Sequence, residues 1–209
     1  MIRPAGFAGA AFGTGDIGDL RVDGEARELI ANKLGIADSW AFVDQVHGAV
    51  VVEANLSGRL GKADAIVTRK VDIPVAVATA DCVPVIVEAD GAAAVVHAGW
   101  RGALAGVLPA TLAALERSGC TPIRAAVGPA IGPCCYEVGD DVAQHFAGFV
   151  RTTTWGSTSV DLPGYLESQL AGIDVWRSHE CTFTSDRLHS WRRDRTKQRQ
   201  VAVAWLQND

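Results

Sequence analysis

Four short apolar runs follow one another between residues 63 and 98 with little chain between them. They read ADAIVT, IPVAVAT, VPVIVEA and AAAVVHA. Runs of this length, bounded by glycine, proline or aspartate, are typical of buried strands. Because the spacers leave little room for helices, this part of the chain predicts a block of buried strands rather than alternating strands and helices.

A helix is predicted before this block. Asp23 is a favourable N-cap and Gly35 a favourable helix end. The side chains expected on its apolar face are Ala26, Leu29, Ile30 and Leu34. The segment that follows, WAFVDQVHGAVVVEA, predicts two β-rich runs interrupted at His47 and Gly48.

A second helical stripe follows the strand block. Its apolar residues run from Leu104 to Leu115, the pattern ends near Gly119, and Pro109 is expected to kink the helix or mark a restart. Further on, IRAAVGPAIGPCCYEVGDDVAQHFAGF predicts a strand, a Gly/Pro loop and a helix. After TTTWGSTSV, taken as a connection, a helix is predicted around YLESQLAG and strands at IDVWRS and QVAVAWL. Since no repeat or boundary interrupts residues 1–209, we predict one mixed α/β domain.

Composition narrows the function classes. A formal charge of -5 argues against binding to a phosphate backbone, so no nucleic-acid partner is expected. No apolar run reaches the roughly 18 residues of a membrane-spanning helix, and the opening MIRPAGFAGAAFG is interpreted as a strand rather than an export signal. The five cysteines are odd in number and irregularly spaced, without a C-x-x-C pair. This disfavours a disulfide framework and a structural zinc module, and predicts a reducing, cytoplasmic location.

Three potential metal ligands lie at the ends or interruptions of predicted strands: His47, Cys82 and His97. Two imidazoles and one thiolate suit Zn²⁺ and leave a fourth position for water or substrate, as a catalytic zinc requires. The separations match no local metal signature, so three unrelated and locally satisfied polar residues are the alternative. Asp81, beside Cys82, is expected either to orient a ligand or accept a proton, or simply to cap a turn.

Two further segments offer anion-binding groups. In GWRGALAG, the glycines permit a tight turn, and Arg101 supplies a planar cation suited to phosphate or carboxylate. A packing turn with a surface arginine is the alternative. The late segment CTFTSDRLHSWRRDRTKQR is strongly basic and predicts either an anion-contacting loop or a solvated face. Its cations are Arg187, Arg192, Arg193, Arg195, Lys197 and Arg199.

The motifs QVHG, ADAIVT, TADCVPVIV, VVHAGWRG and VGPAIGPCCYEVG occur in that order. Together they strongly resemble the laccase-domain family, whose members are also called YfiH-type or multicopper polyphenol oxidoreductase-like proteins. The resemblance runs from about residue 41 to residue 139 and continues more loosely to the C-terminus. It implies an α/β/β/α layered fold with mixed sheets and a single zinc ion held by His47, Cys82 and His97.

The resemblance also implies an activity on purine nucleosides. The expected reactions are phosphorolysis of adenosine, inosine, guanosine or methylthioadenosine and hydrolytic deamination of adenosine. Catalytic roles are expected for Cys82, Asp81 and Arg101, with the C-terminal arginines as further phosphate contacts. The chain departs from the family pattern at FGTGDIGD, at Leu188-His189 and at Gln198. These departures concern substrate choice and phosphate binding, not the metal ligands.

Two other activities remain open at this point. Copper could occupy the same single site, as the family label suggests. However, a multicopper oxidase needs clustered histidines, and this chain has five histidines and no H-x-H pair. A metal-independent Cys-His hydrolase acting on a cell-wall precursor would instead use Cys82 as nucleophile and His97 as base. A binding protein with a structural zinc is the non-enzymatic alternative.

Overall fold

The computed structural model describes residues 1–207. In chain order the strands are β1 (Ala10–Phe12), β2 (Ala41–Asp44), β3 (Val51–Ala54), β4 (Gly58–Lys62), β5 (Ala65–Thr68), β6 (Val75–Thr79), β7 (Val83–Ala89), β8 (Ala92–Ala98), β9 (Pro122–Val127), β10 (Val150–Thr152), β11 (Thr158–Val160), β12 (Asp174–Arg177) and β13 (Gln200–Ala204). The α-helices are α1 (Gly24–Leu34), α2 (Trp100–Leu104), α3 (Val107–Arg117), α4 (Asp140–Ala143), α5 (Leu162–Glu167) and α6 (Trp191–Asp194). The predicted mixed α/β fold is thus confirmed.

Two mixed sheets carry most of the strands. One has the order β1-β13-β6-β2-β4, with antiparallel pairs at the β1 end and parallel pairs at the β4 end. The other has the order β12-β9-β7-β8-β5-β3, in which β9, β7, β8 and β5 are successively antiparallel and both outer pairs are parallel. The four apolar runs predicted as strands are β5 to β8, and they are shared between the two sheets.

One apolar core includes side chains from both sheets. Phe12 and Val77 of the first sheet belong to the same buried cluster as Ile86 and Val95 of the second. Burying a side chain of this size stabilises the fold by about 1.5–3 kcal/mol. The packing is close enough to require a glycine after β9, because a Cβ on Gly128 would lie 2.3 Å from the Phe12 ring.

Helices cover the remaining apolar surface of each sheet. Helix α1 begins at the N-cap Asp23, whose side chain accepts from the Ala26 N–H, and ends at the left-handed Gly35, as predicted. Its buried residues are Ile30 and Ala31, which pack with the first sheet. Leu29 was placed on the buried face by the sequence pattern, and this was wrong: its side chain is 56% exposed.

The second helical stripe is divided in two. Helix α2 ends at Leu104 and α3 begins at Val107, with Gly106 between them at φ 83°. Pro109 lies in the first turn of α3, where its missing N–H disturbs no intrahelical hydrogen bond. The restart therefore occurs at the glycine, before the proline. Buried Val107, Leu108 and Leu115 of α3 join the core of the second sheet.

The sequence patterns missed helix α6 in the basic C-terminal segment, strand β4 and one β-hairpin. The segment predicted as a plain connection, TTTWGSTSV, contributes to the hairpin formed by β10 and β11. Strand β4, GRLGK, is mostly exposed and lies at a sheet edge, so it carries no apolar alternation to reveal it. Across residues 1–207, the helices all fall short of the length and apolarity needed to cross a bilayer.

Candidate metal centre

The strand directions of the second sheet bring the three predicted ligands to the same end of its strands. Strands β7 and β8 are antiparallel, with Val83 paired to Ala98, so Cys82 before β7 lies beside His97 near the end of β8. Strands β5 and β3 both start at this same end, where Val51 pairs with Ala65 and Ala65 with Val96. The loop that carries His47 enters β3 here. The register of four strands thus overcomes separations of 35 and 15 residues.

A buried carboxylate, Asp64, stands directly opposite His97. The backbone N–H of His97 donates to the Asp64 carbonyl at 2.7 Å, and its ring Nδ1 lies 2.8 Å from Asp64 Oδ1. The side chain of Asp64 is 0% exposed and that of His97 is 3% exposed. A hydrogen bond at Nδ1 leaves the Nε2 edge of the imidazole to face a metal, and fixes the orientation of the ring.

The same carboxylate shapes the turn that carries His47. Asp64 Oδ1 accepts from the His47 N–H at 2.9 Å, while Oδ2 accepts from Gly48 at 2.6 Å and from Val46 at 3.3 Å. His47 has φ 60°, a left-handed conformation that costs free energy in a non-glycine residue. These three N–H donors hold that conformation in place. Asp64 therefore positions two of the three ligands.

The donor atoms lie at distances that fit one metal ion. His47 Nε2 is 3.9 Å from Cys82 Sγ, and one donor atom from each of His47, Cys82 and His97 lies within 4.8 Å of the others. The two imidazole rings meet edge to face with centroids 4.8 Å apart. A tetrahedral shell with metal–nitrogen and metal–sulfur bonds of about 2.0–2.3 Å needs donors roughly 3.5 Å apart. Small side-chain movements would bring the three donor atoms from their present separations to this spacing.

Two glycines make room for the cluster. A Cβ on Gly99 would lie 2.8 Å from His47 Cδ2 and 3.2 Å from Cys82 Sγ, so only glycine fits here without moving a ligand. A Cβ on Gly102 would lie 3.0 Å from the Gly48 carbonyl oxygen, in the turn that carries His47. The glycines of GWRGALAG therefore serve close packing against the ligands.

The cluster also tunes the ionisation of its own members. Burial opposes charge on Cys82, but hydrogen bonds with His47 and His97 lower the pKa of its thiol to about 6. Burial likewise opposes charge on His97, yet Asp64 and Cys82 raise its pKa to about 9. For Asp64, burial is outweighed by hydrogen bonds from His97, Gly48 and His47, which lower its pKa. A thiolate ligand is thus favoured near neutral pH.

The cluster opens into a cleft of about 1120 Å³ between the sheet edge and the loops after β9 and β12. All three ligands line it, as do Asp81 and Arg101. The guanidinium of Arg101 stacks over the Trp100 ring at 4.3 Å. The other arginines in its lining are Arg21, Arg27, Arg59, Arg192 and Arg199. Its charge suits an anionic ligand, and its size accommodates a small organic molecule.

Asp81 adopts a different role from Asp64. Its Oδ1 accepts from Thr182 Oγ1 and its Oδ2 from the Arg192 N–H, both at 2.6 Å. Its backbone has φ 92°, and its carbonyl accepts from Ile131 at 3.0 Å. Both carboxylate oxygens therefore tie the C-terminal segment to the cleft. In this structure Asp81 positions a loop, while Asp64 orients the ligands.

The basic C-terminal segment divides into structural and cleft-facing cations. Arg193 donates to the carbonyls of four residues in its own loop: Thr182, Phe183, Ser185 and Leu188. Arg187 pairs with Glu180 at the surface. Arg192 and Arg199 line the cleft, and Arg192 stacks 5.5 Å over the Tyr136 ring while donating to the Glu137 carbonyl. Burial and the nearby Arg21 lower the pKa of Arg199.

The sequence patterns missed Asp64 and Arg21. Asp64 lies within the run ADAIVT, whose apolar character draws attention away from it, although a charged residue needs partners when it is buried. Arg21 precedes the first helix and carries no motif. In contrast, five residues that were predicted as metal ligands or catalytic groups all line one cleft. They are His47, Cys82, His97, Asp81 and Arg101.

Comparison with known proteins places this geometry in a family. Residues 7–207 match the family model described as multi-copper polyphenol oxidoreductase laccase. A purine nucleoside phosphorylase of Streptomyces griseus is 35% identical, with 98% of this chain and 92% of that protein covered. One from Streptomyces coelicolor is 37% identical, with coverage of 86% and 81%.

Solved structures share the fold. YlmD from Geobacillus stearothermophilus superposes with a TM-score of 0.80 at 27% identity, covering 99% of this chain and 87% of that one. YfiH from Bacillus licheniformis gives 0.83 at 24% identity, covering 94% and 92%. At that identity the second likeness concerns the fold alone.

Proposed function

This chain belongs to the family of laccase-like, YfiH-type proteins, and on that premise we propose that it is a zinc-dependent purine nucleoside phosphorylase that also deaminates adenosine. The proposed substrates are adenosine, inosine, guanosine and methylthioadenosine, each with phosphate. The observation that carries the proposal is the convergence of His47, Cys82 and His97 on a cleft lined by arginines. Related proteins named purine nucleoside phosphorylase support it.

Phosphorolysis requires phosphate and nucleoside to meet in a fixed orientation. A phosphate oxygen forms a bond to C1′ of the ribose while the C1′–N9 bond breaks, and the departing purine takes the bonding electrons and acquires a proton. Negative charge must be held next to a sugar carbon that becomes electron-poor. Holding both reactants in one site supplies much of the rate enhancement in such reactions.

The cleft arginines are suited to hold the phosphate. Arg101 lies in the first turn of α2, four residues after His97, and both residues line the cleft. Arg199 and Arg21 approach each other on the cleft wall closely enough for Arg21 to lower the pKa of Arg199. A bound anion would relieve this repulsion between like charges. A guanidinium offers two parallel donors to a phosphate.

The same cleft contains two aromatic rings, each with a guanidinium over one face, which leaves only the other face of each ring for a purine. These rings belong to Tyr136 and Trp100, which both line the cleft. Burial, with the charge at Cys82 adding to it, raises the pKa of Tyr136 to about 12, so its phenol stays protonated as a hydrogen-bond donor. Aromatic faces bind planar bases by stacking. We assign the base to this side of the cleft and the phosphate to its arginines.

The residues at the cluster fit zinc. Two imidazoles and a thiolate are its usual donors, Gly99 leaves the space free, and Asp64 orients His97. A bound Zn²⁺ would supply a Lewis acid that polarises an oxygen or lowers the pKa of a water molecule. Cu²⁺ competes well for such donors. Metal analysis of protein purified without chelators decides between them.

Two alternatives use the same residues. A Cys-His hydrolase would need the ionised Cys82 and protonated His97 that the shifted pKa values describe, and it would work without metal. A multicopper laccase is disfavoured because the other histidines, His145, His179 and His189, form no metal-binding group in residues 1–207.

The test is a nucleoside panel with and without phosphate, using protein loaded with Zn²⁺ and protein treated with a chelator. We expect ribose 1-phosphate and free base only when phosphate and metal are both present. We also expect inosine and ammonia from adenosine with metal alone. Undiminished turnover after metal removal would refute the metal dependence and favour a mechanism that uses Cys82 and His97 directly. Inertness of the metal-loaded protein toward every nucleoside would refute the enzyme.

A further inference from the structure

Three cysteines form a second cluster behind one wall of the cleft. Cys134 and Cys135 lie in the loop after β9, and Cys181 lies in the segment after β12. Their sulfur atoms all lie within 4.8 Å of one another, and those of Cys134 and Cys135 are 3.0 Å apart. Free cysteines are ordinarily small buried residues. No local motif indicates this cluster, because Cys135 and Cys181 lie 46 positions apart in the sequence.

We propose that Cys134, Cys135 and Cys181 form a second metal site that binds a thiophilic ion, Zn²⁺ or Cu⁺, independently of the His47 centre. Three thiolates are the donors that these ions prefer. With metal–sulfur bonds of about 2.3 Å, a tetrahedral site places sulfur atoms roughly 3.8 Å apart. The cluster reaches this spacing if the Cys134 and Cys135 side chains separate slightly by rotation.

The backbone already prepares the site. The turn at Gly132 accepts N–H groups from Cys135 and Tyr136, which directs both adjacent thiols to one side. The Gly132 N–H itself donates to Cys181 Sγ at 3.2 Å. An N–H donor stabilises a sulfur that carries negative charge, as a ligating thiolate does. A Cβ on Gly132 would lie 3.4 Å from both Cys134 Sγ and Cys181 Cβ, so the sulfurs pack around the glycine.

A small cavity of about 260 Å³ gives access to the cluster. Cys134 and Cys181 line it and are half-buried, whereas Cys135 is 2% exposed. His179 and Glu180 line the same cavity. An ion could therefore enter from solvent, and water can take the fourth position, because the Glu180 carboxylate is already paired with Arg187.

The site would join two loops that form the cleft. Thr182, next to Cys181, donates its N–H to the Ala130 carbonyl and its hydroxyl to Asp81. The Cys135 neighbour Tyr136 lines the cleft itself. An ion held by both loops would therefore stabilise this wall without contacting the nucleoside. Its role is to position the loops.

Metal stoichiometry tests the proposal. Protein stripped of metal is reduced, dialysed against Zn²⁺, freed of loose ions and analysed for metal content; a parallel sample receives Cu⁺ as its glutathione complex. We expect two ions per chain in the parent protein, one in Cys181→Ser and one in His47→Ala. Cys120→Ser, which removes a buried thiol elsewhere, should keep two. If the parent protein and Cys181→Ser hold equal amounts of metal both after Zn²⁺ loading and after Cu⁺ loading, the proposal is overturned.

Thiol protection in the His47→Ala variant, which keeps all three cysteines of the cluster, provides a second measurement. After removal of metal, Cys134 and Cys181 should be alkylated by iodoacetamide, and loading of His47→Ala with Zn²⁺ or Cu⁺ should slow both at least tenfold. Peptide mass spectrometry reads each cysteine separately. Unchanged alkylation after loading would refute the site. Because His47→Ala lacks the other centre, this result does not depend on the proposed phosphorylase activity.

Discussion

Two walls of the cleft are built in different ways. The wall that carries His97 and Cys82 consists of paired strands whose register sets the position of each side chain. A second wall, the loop wall, is formed by the segments after β9 and β12, which contribute Tyr136 and Arg192, while α1 and the first sheet supply further lining residues such as Arg27 and Phe42. In the loop wall, positions depend on side-chain hydrogen bonds, such as those of Arg193 to four carbonyl groups.

The carboxylates on the two walls show what the difference means. Asp64 is fully buried in the strand wall and orients metal ligands, whereas Asp81 reaches across and holds the loop wall. We infer that the strand wall determines whether metal binds, while the loop wall determines which substrate binds and how tightly. Five substitutions separate these roles.

Cys82→Ala should have the largest effect. It removes the only sulfur donor of the centre, so we expect the metal content to fall by one ion per chain and nucleoside turnover to be lost. The fold should persist, because the thiol contributes little to either core. Elemental analysis, circular dichroism and product assays measure the three quantities. Cys120→Ala is the control, and retention of both metal and turnover in Cys82→Ala would remove the centre.

Asp64→Asn should have the second largest effect. The amide keeps the shape but leaves one of its ring and backbone donors poorly satisfied, so metal affinity should fall about 10–100-fold. We also expect the free energy of unfolding to drop by about 1–3 kcal/mol. Competition with a chelating dye and denaturant unfolding measure these changes.

The matched variant Asp81→Asn tests the other wall. It should keep the metal affinity and raise the KM for nucleoside, because the ties to Thr182 and Arg192 weaken. Equal losses of metal affinity in Asp64→Asn and Asp81→Asn would show that the two walls are not separate.

Gly99→Ala should have a smaller effect that is confined to the strand wall. The new methyl would lie 2.8 Å from His47 Cδ2, so the imidazole must move and metal affinity should fall roughly tenfold, about 1.4 kcal/mol. Gly106→Ala is the control: nothing lies within 4 Å, but φ is 83°. It should cost about 1 kcal/mol of stability and leave metal affinity unchanged. The opposite pattern would contradict the role of Gly99.

Arg199→Ala should have the smallest effect, limited to phosphate. Loss of one cleft cation should raise the KM for phosphate about tenfold, with metal content and the KM for nucleoside little changed. Arg187→Ala, which removes only a surface pair with Glu180, should leave all three unchanged. A larger effect in Arg187→Ala than in Arg199→Ala would place the phosphate elsewhere.

Local patterns predicted most elements because each depends on neighbours in sequence. The runs that form β5 to β8 are apolar throughout, and the caps Asp23 and Gly35 bound α1 as expected. Strand β4 and the β10–β11 hairpin escaped because their residues are mostly exposed. The predicted burial of Leu29 was wrong because helical periodicity identifies an apolar face but does not show which part of that face is covered by a neighbouring element.

Local sequence patterns predicted only part of the candidate site. His47, Cys82 and His97 stood out as polar groups where apolar runs end, and Arg101 as a cation in a glycine-rich turn. The tasks of Asp64 and Asp81 were not distinguishable, since both are aspartates next to an apolar strand. Only their partners, His97 for one and Thr182 for the other, tell them apart.

By itself, the order of apolar, polar and glycine residues determined which segments become strands and which side chains stand at their ends. Only the tertiary structure decided that two imidazoles and a thiol face one point, and that three other thiols gather behind the loop wall. The physical reason is that strand formation is encoded by local side-chain patterns. The meeting of distant side chains depends instead on strand order and register, which arise when two sheets bury their apolar faces together.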